Sequence, residues 1–261
     1  ENRVGAGGNI GSASVAKAAK DGYTLLLTTS TITINASLSK NLTFDPVQDL
    51  QPVSRLMSSP LLLCVPPHIP AKSVKELVDL AKANPNQLTY ASSGNGGSPH
   101  LSAETFKIAT GTQILHVPYK GIAPLINDLM GGQIDMAFLP LAGSIPATLK
   151  EGKIQGLAVT AKAPHPLFKQ YPAMAAMKGL ESMDFDIWSG IQVPKNTPDD
   201  VVSALNKAFY ASAEMPETRK AFEASGNVVL PPHTPTELAR IYQSEIERYR
   251  GIAKSINLQP Q

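Results

Sequence analysis

Along the first two-thirds of the chain, short apolar runs are separated by stretches with a helical spacing of apolar positions. Residues 9–20 are Ala-rich and read as a short helix, Asp21–Gly22 as a turn, and residues 23–29 as a buried strand. A looser segment containing Asp45–Pro46 and Gln51–Pro52 follows to about Ser59. Residues 61–65 give a second strand, and Val74, Leu77, Val78 and Ala81 then fall at i, i+3, i+4 and i+7, the stripe of an amphipathic helix. Residues 88–92 form a strand, and Ser98–Pro99 opens a helix with serine at the N-cap and proline behind it. Further strands are expected at 114–118, 134–139 and 154–160, with a helix between each pair. Strands alternating with helices predict βαβ units and a largely parallel sheet. From Pro198 onward only helices are expected, at 199–213, 216–225 and 236–256, the last with Leu238, Ile241, Tyr242, Tyr249 and Ile252 on one face.

One internal echo bears on domain organisation. Leu62–Leu63–Cys64–Val65–Pro66 precedes Pro70 and an amphipathic helix, and Gly190–Ile191–Gln192–Val193–Pro194 precedes Pro198 and another. Two similar strand-to-helix corners would account for this. So would two strands that cross between lobes as a paired hinge. On the second reading one lobe comprises residues 65–189, and the other is built from the two chain ends, 1–64 and 190–261.

A length of 261 residues suits one or two lobes. With 43% hydrophobic and 17% charged residues the composition is that of a globular protein, and the apolar run at 61–67 is too short to span a bilayer. The net charge is +2 with basic residues scattered, which argues against a nucleic-acid partner. The single cysteine, Cys64, excludes an internal disulfide framework and any Cys-based metal cluster, and its apolar neighbours mark it as a buried small hydrophobe. Scarce cysteine fits an exported bacterial protein. The chain opens at Glu1–Asn2–Arg3 without methionine, so removal of an upstream segment is expected.

Two Gly-rich stretches are candidates for ligand chemistry. Val4–Gly5–Ala6–Gly7–Gly8–Asn9–Ile10–Gly11 is no dinucleotide fingerprint, because Ile10 occupies the third glycine position. Ser92–Ser93–Gly94–Asn95–Gly96–Gly97–Ser98 lacks the lysine and spacing of a P-loop. It reads either as a glycine turn with a serine cap or as a cradle whose N–H groups and hydroxyls meet an anion at a helix start. Without Lys or Arg, a carboxylate suits it better than a polyphosphate. Ligands of parallel α/β sheets sit beyond the strand C-termini. Those ends read Thr28–Thr29–Ser30, Ser92–Ser93 and Thr160, with Phe138–Leu139–Pro140 as an apolar wall. A small organic acid with a carbon body fits that lining.

Catalytic patterns are weak. The histidines (His68, His100, His116, His165, His233) are dispersed without metal-ligand spacing, and no G-x-S-x-G elbow occurs. His100 reads as a structural helix residue, with a pocket-facing role as the alternative. Asp135 reads as a cap and Trp188 as either core or cleft lining. No cofactor, metal or catalytic residue is expected.

Several segments together resemble one family. They are Glu1–Asn2–Arg3 with Gly5–Ala6–Gly7–Gly8–Asn9, Asp21–Gly22–Tyr23–Thr24–Leu25, Tyr90–Ala91–Ser92–Ser93–Gly94 with Ser98–Pro99–His100–Leu101, His116–Val117–Pro118–Tyr119–Lys120–Gly121, and Gly131–Gly132–Gln133–Ile134–Asp135. In this order they are similar to the Bug/TctC solute receptors of tripartite tricarboxylate transporters. The resemblance implies an α/β periplasmic binding protein of Venus-flytrap type, two Rossmann-like lobes joined by a two-strand hinge and closing over a small carboxylate. It also implies delivery to membrane permease subunits, the periplasm of a Gram-negative bacterium as location, and a monomer. A sensing subunit for a membrane kinase and an α/β enzyme acting on a small acid are the alternatives. Ligand contacts are expected from Ser93, Gly96 and Ser98 on the carboxylate, from Gly94 and Asn95 of the same loop, and from Thr29, Ser30, Leu139 and Thr160 on the remainder. The family carries a further strand and a second carboxylate loop ahead of the Glu-Asn-Arg motif, so half of the expected clamp falls outside this sequence. Where many relatives have Phe-Asp, this chain has Phe138–Leu139, which predicts a ligand without an amino group.

Overall fold

The computed structural model describes residues 1–3, 8–39, 42–256 and 258. Val4, Gly5, Ala6 and Gly7 of the first glycine-rich stretch lie outside the described residues. The elements run α1 (Asn9–Ala16), β1 (Leu26–Thr29), α2 (Thr31–Leu38), β2 (Leu50–Val65), α3 (Val74–Ala83) and β3 (Thr89–Ser92). Next come α4 (Ser98–Thr110), β4 (Leu115–Pro118), α5 (Ile122–Met130), β5 (Met136–Pro140), α6 (Ile145–Lys150) and β6 (Gln155–Val159). The chain closes with β7 (Asp186–Pro194), α7 (Asp199–Glu214), α8 (Pro216–Ala224), β8 (Val228–Val229) and α9 (Pro235–Ser255). It divides into two compact units, Glu1–Ser58 with Ile187–Gln261, and Ser59–Asp186. Both divisions fall inside strands, β2 and β7.

The contiguous unit has its strands in the order β6-β2-β5-β3-β4. β3 lies parallel to β4 and β5, with Tyr90 opposite both His116 and Met136. β2 runs antiparallel to β5 and β6. The sheet is therefore mixed, not largely parallel as the βαβ pattern predicted, because β2 enters against the βαβ direction. Leu61, Leu62, Leu63, Cys64 and Val65 are all fully buried, which is why that stretch reads as an unbroken apolar run and not an alternation. Leu62, Cys64, Ala91, Leu125, Leu129, Ala137 and Leu139 form the core between sheet and helices. Ser73 caps α3 by accepting from the Glu76 N–H at 3.2 Å, and Val74, Leu77 and Ala81 of the expected stripe are buried.

In the discontinuous unit β1 pairs antiparallel with β7, which neighbours β2, and β8 pairs with β2 through Met57 and Val229. α9 packs along α2, with the Ser37 hydroxyl donating to the Ile246 carbonyl at 2.9 Å. A full capping box starts α9, with Thr234 and Glu237 each satisfying the other's backbone N–H. Val15, Leu26, Ile32, Phe44, Leu50, Trp188 and Tyr242 form the core.

Four local expectations are corrected. β2 begins at Leu50, inside the segment read as loose, because Pro52, Pro60 and three serines mask a strand whose residues before Ser59, apart from Leu50, Val53 and Ser54, are only partly buried. Residues 31–38 are helical although β-branched residues dominate their first half; the Thr33 and Ser37 hydroxyls bond back to carbonyls of the preceding turn. β8 interrupts what was expected to be purely helical sequence, and two residues are too few for a readable alternation. β1 is buried on one face only, Leu27 being 72% exposed.

Candidate functional site

The stretch from Ser92 to Ser98 joins the C-terminal end of a parallel strand, β3, to the first turn of α4. Gly94 and Gly96 have φ of 131° and 77°, conformations that side chains resist. Gly97, not Ser98, is the N-cap; its extended backbone lets its carbonyl take the first helical bond, from Leu101 N–H at 3.0 Å. Ser98 and Pro99 thus become the first helical residues. Proline brings no N–H, and the N–H groups of Ser98 and His100 point out of the helix end without an intrahelical acceptor. A left-handed Gly111 ends the helix.

Beneath this loop lies an aromatic stack that sequence spacing did not reveal. The Tyr90 and His116 rings are 4.6 Å apart, and those of His116 and His100 are 4.4 Å apart, each of these two pairs within 12° of parallel. His100 Nδ1 accepts the Gly96 N–H at 2.9 Å, and His116 Nε2 lies 2.7 Å from Ser92 Oγ. The Tyr90 hydroxyl donates to Glu104, which also pairs with Lys107 at 2.7 Å. Ser92 O accepts from Tyr119 N–H at 2.8 Å, and the Tyr119 hydroxyl donates to Asp128 at 2.7 Å. The loop is therefore held from below at both ends. Two of the histidines read as dispersed, His100 and His116, are brought together because β3 and β4 pair in parallel and α4 folds back over β3. The register of Tyr90 against His116 was the available signal, but it needs the strand pairing to be known.

Burial, chiefly, lowers the pKa of both imidazoles; for His116 the neighbouring His100 adds to it, and its value falls to about 4. Neutral His100 with a bare Nδ1 is what the Gly96 N–H requires. In the unfolded chain both rings titrate near their ordinary value, about 6.5. Between that pH and about 4 the unfolded chain binds more protons, so stability is full above pH 6.5 and falls as pH drops through this window. Compared with wild type, His116→Phe keeps the stack, removes the titration and is expected to flatten this loss by about 2 kcal/mol. Denaturant midpoints across pH 4–8 measure it; parallel pH profiles for the two proteins would refute it.

The expected ligand residues separate into three sets. Ser93, Gly94 and Gly96 are half-buried on the loop, Asn95 is exposed at its tip, and Ser98 is buried at the helix start. The structure brings these five together. Thr29 and Ser30, in the discontinuous unit, end β1 and open α2; Thr29 Oγ1 donates to Thr31 Oγ1, and the buried Ser30 Oγ has no hydrogen-bond partner. They repeat the strand–hydroxyl–helix arrangement. Thr160 and Leu139 are corrections. Thr160 is fully buried, and its hydroxyl accepts from Leu61 N–H at 2.9 Å and donates to Phe185 O at 2.6 Å, leaving nothing for a ligand. Leu139 sits in the hydrophobic core opposite Leu62, so it is neither a ligand wall nor a guide to the absence of an amine.

Other candidates have structural partners. Asp135 accepts from both the N–H and hydroxyl of Thr89, at 2.7 and 2.8 Å, tying β5 to β3. Trp188 is core: its Nε1 donates to Glu245 at 2.8 Å and its ring meets Tyr242. Burial pushes the Cys64 thiol up, away from thiolate reactivity. Ser92 lies close to His116 but is completely buried, out of reach of a substrate. Among the described residues no three His, Cys, Asp or Glu gather as a metal site, and no helix is long and apolar enough to cross a membrane.

The loop can therefore donate several hydrogen bonds to an anion. Comparison with known proteins points the same way. The model of the tripartite tricarboxylate transporter family receptor matches residues 1–258. The protein BugT of Bordetella pertussis is 31% identical over 258 residues, 97% of this chain and 78% of that protein. The structure of R. palustris Rpa4515 with adipate superposes with a TM-score of 0.89 at 32% identity, covering all of this chain and 87% of that one. MatC (Rpa3494) from Rhodopseudomonas palustris with bound malate gives 0.82 at 28%, covering 97% and 86%. The periplasmic binding protein BugD gives 0.86 at 30%, covering 100% and 87%. The chain belongs to the receptor family of tripartite tricarboxylate transporters.

Proposed function

We propose that this chain is a periplasmic receptor that captures a small dicarboxylate and presents it to the membrane permease of a tripartite tricarboxylate transporter, without chemical change to the ligand. The observation that carries this reading is the loop from Ser93 to Ser98, whose donors are aimed from a strand end into a helix start and held by the His100–His116–Tyr90 stack. One carboxylate oxygen pair meets the Ser93 and Ser98 hydroxyls and the N–H groups of the first turn, where the helix end favours negative charge. Adipate and malate, bound in two relatives, define the ligand class to be tested. Thr29 and Ser30 are a second carboxylate-recognition element of the same kind.

A saturating dicarboxylate at a hundred times its dissociation constant is expected to add about 2.7 kcal/mol to stability, or roughly 5–10 °C for a chain of this size. A thermal-shift screen with adipate and malate, with monocarboxylates alongside, measures it. Ser98→Ala is expected to weaken the best ligand about five- to tenfold by calorimetric titration, the worth of one hydrogen bond to a charged oxygen. Unchanged affinity in Ser98→Ala, or consumption of the ligand, would overturn the reading.

A further inference from the structure

Asn95–Gly96, at the tip of the Ser93–Ser98 loop, is the only Asn-Gly pair in the sequence. In such a pair the glycine nitrogen reaches the asparagine side-chain carbon most easily, because no Cβ on the second residue obstructs the approach. The turn presents this pair openly. Asn95 is exposed, and among the described residues its carboxamide has no hydrogen-bond partner. Gly96 has a φ of 77°, a conformation that a side chain resists.

A base is already in place. The Gly96 N–H donates to His100 Nδ1 at 2.9 Å, so a bare imidazole nitrogen faces the proton that an attacking Gly96 nitrogen must lose. That is the reach a general base needs. The stack on His116, with rings 4.4 Å apart, fixes the His100 ring in this position. The N–H bond lies in the peptide plane, so holding its proton leaves the face of the nitrogen open to the Asn95 carboxamide. The titratable and charged groups around His100 are Tyr90, Glu104, Lys107 and His116. Burial, aided by Lys107, outweighs the Glu104 carboxylate and keeps the ring uncharged at neutral pH.

We infer that Asn95–Gly96 is a self-modifying site, at which His100 takes the Gly96 proton while the Gly96 nitrogen bonds to Asn95 Cγ. The Cγ–Nδ2 bond breaks, and ammonia leaves with the proton that His100 returns, closing a succinimide. Water then opens the ring to aspartate or isoaspartate, so a neutral carboxamide becomes a carboxylate. The effect on binding rests on the dicarboxylate reading: the new charge stands on the loop that holds the ligand's own carboxylate, and repulsion lowers affinity. The modification itself does not depend on that reading.

The whole protein, incubated without ligand at neutral pH and then mapped by peptide mass spectrometry, is expected to accumulate aspartate and isoaspartate at position 95. Asn95→Gln is expected to stay unconverted there. His100→Phe keeps a ring in the stack but offers no acceptor, and His100→Leu offers neither; both are expected to convert about tenfold or more slowly. In denaturant all three chains with Asn95 should convert at one rate. The wild-type advantage should disappear as pH falls below about 6.5, where His100 takes up a proton. No conversion in the native wild type, equal native rates in wild type and both His100 variants, or an advantage that survives in acid or denaturant would each overturn the inference. Asn95→Asp, which carries the product's charge, is expected to bind malate about fivefold or more weakly than wild type. Equal affinity would overturn the effect on binding, whereas a wild-type protein that binds neither adipate nor malate would strike the dicarboxylate reading and leave the modification standing.

Discussion

Gly190→Ala is expected to destabilise the discontinuous unit by about 3–5 kcal/mol, near the top of the range for single substitutions. A Cβ at this position would stand 2.1 Å from the Ser54 carbonyl oxygen and 3.1 Å from Arg55 Cα. Both are backbone atoms of β2, so neither can swing aside as a side chain could. Relief requires β7 to move off β2, and β7 also holds β1. With a total stability of about 5–15 kcal/mol, such a loss leaves little margin. Denaturant unfolding followed by Trp188 emission reads the effect, since that residue lies two positions away on the same strand. Gly251→Ala is the control: nothing lies within 4 Å of its would-be Cβ, and alanine in this exposed helical site is expected to stabilise by about 0.5–1 kcal/mol. Equal midpoints for the two variants would refute the packing argument.

Glu245→Leu is expected to cost about 3–5 kcal/mol through a different mechanism, the stranding of buried donors. Glu245 is a hub. Its carboxylate lies 3.3 Å from Arg55 Nη2, accepts from Trp188 Nε1 at 2.8 Å and from the Thr33 hydroxyl at 3.1 Å. The Arg55 guanidinium in turn sits 5.3 Å from the Trp188 ring centroid. Both charged side chains are only about 15% exposed, so water cannot replace the lost carboxylate cheaply. Glu245→Gln keeps an acceptor for Trp188 and is expected to lose less than half as much. The double variant Arg55→Leu with Glu245→Leu should recover part of the loss, because removing both charges leaves no uncompensated ion. A double variant as unstable as the sum of the singles would refute the coupling.

The alternation of elements was legible because each strand of the contiguous unit is a short apolar run bounded by Gly, Pro or Ser, and α3 and α9 carry clear stripes. The direction of β2 was not legible: an apolar run buried on both faces looks the same in a parallel and an antiparallel strand. α2 was hidden by its own composition, since Thr31, Ile32, Thr33 and Ile34 favour extended backbone and only packing against α9 makes them helical. At the site, the glycine and serine loop could be read locally, because its chemistry is contained in seven consecutive residues. Its support could not. His100 and His116 meet through strand pairing and a helix start, and no short-range spacing encodes that. Thr160 was misplaced for the opposite reason: a hydroxyl at a strand end looks available in sequence, while in space it has already closed a bond between Leu61 and Phe185.

The division of the chain has a consequence for its synthesis. Residues 59–186 are consecutive, so that unit has all its parts as soon as they emerge. The other unit is made of two pieces, and its first piece must wait for its last helix: Thr33 bonds Glu245, and Ser37 bonds the carbonyl of Ile246. Contacts this distant along the chain close late, because the intervening loop must be ordered before they are rewarded. During vectorial production the second unit can therefore mature ahead of the first, while Ile32, Phe44 and Leu50 wait uncovered. A chain halted before α9 would carry one finished unit and an apolar, unclosed remainder, the kind of species that holding chaperones retain.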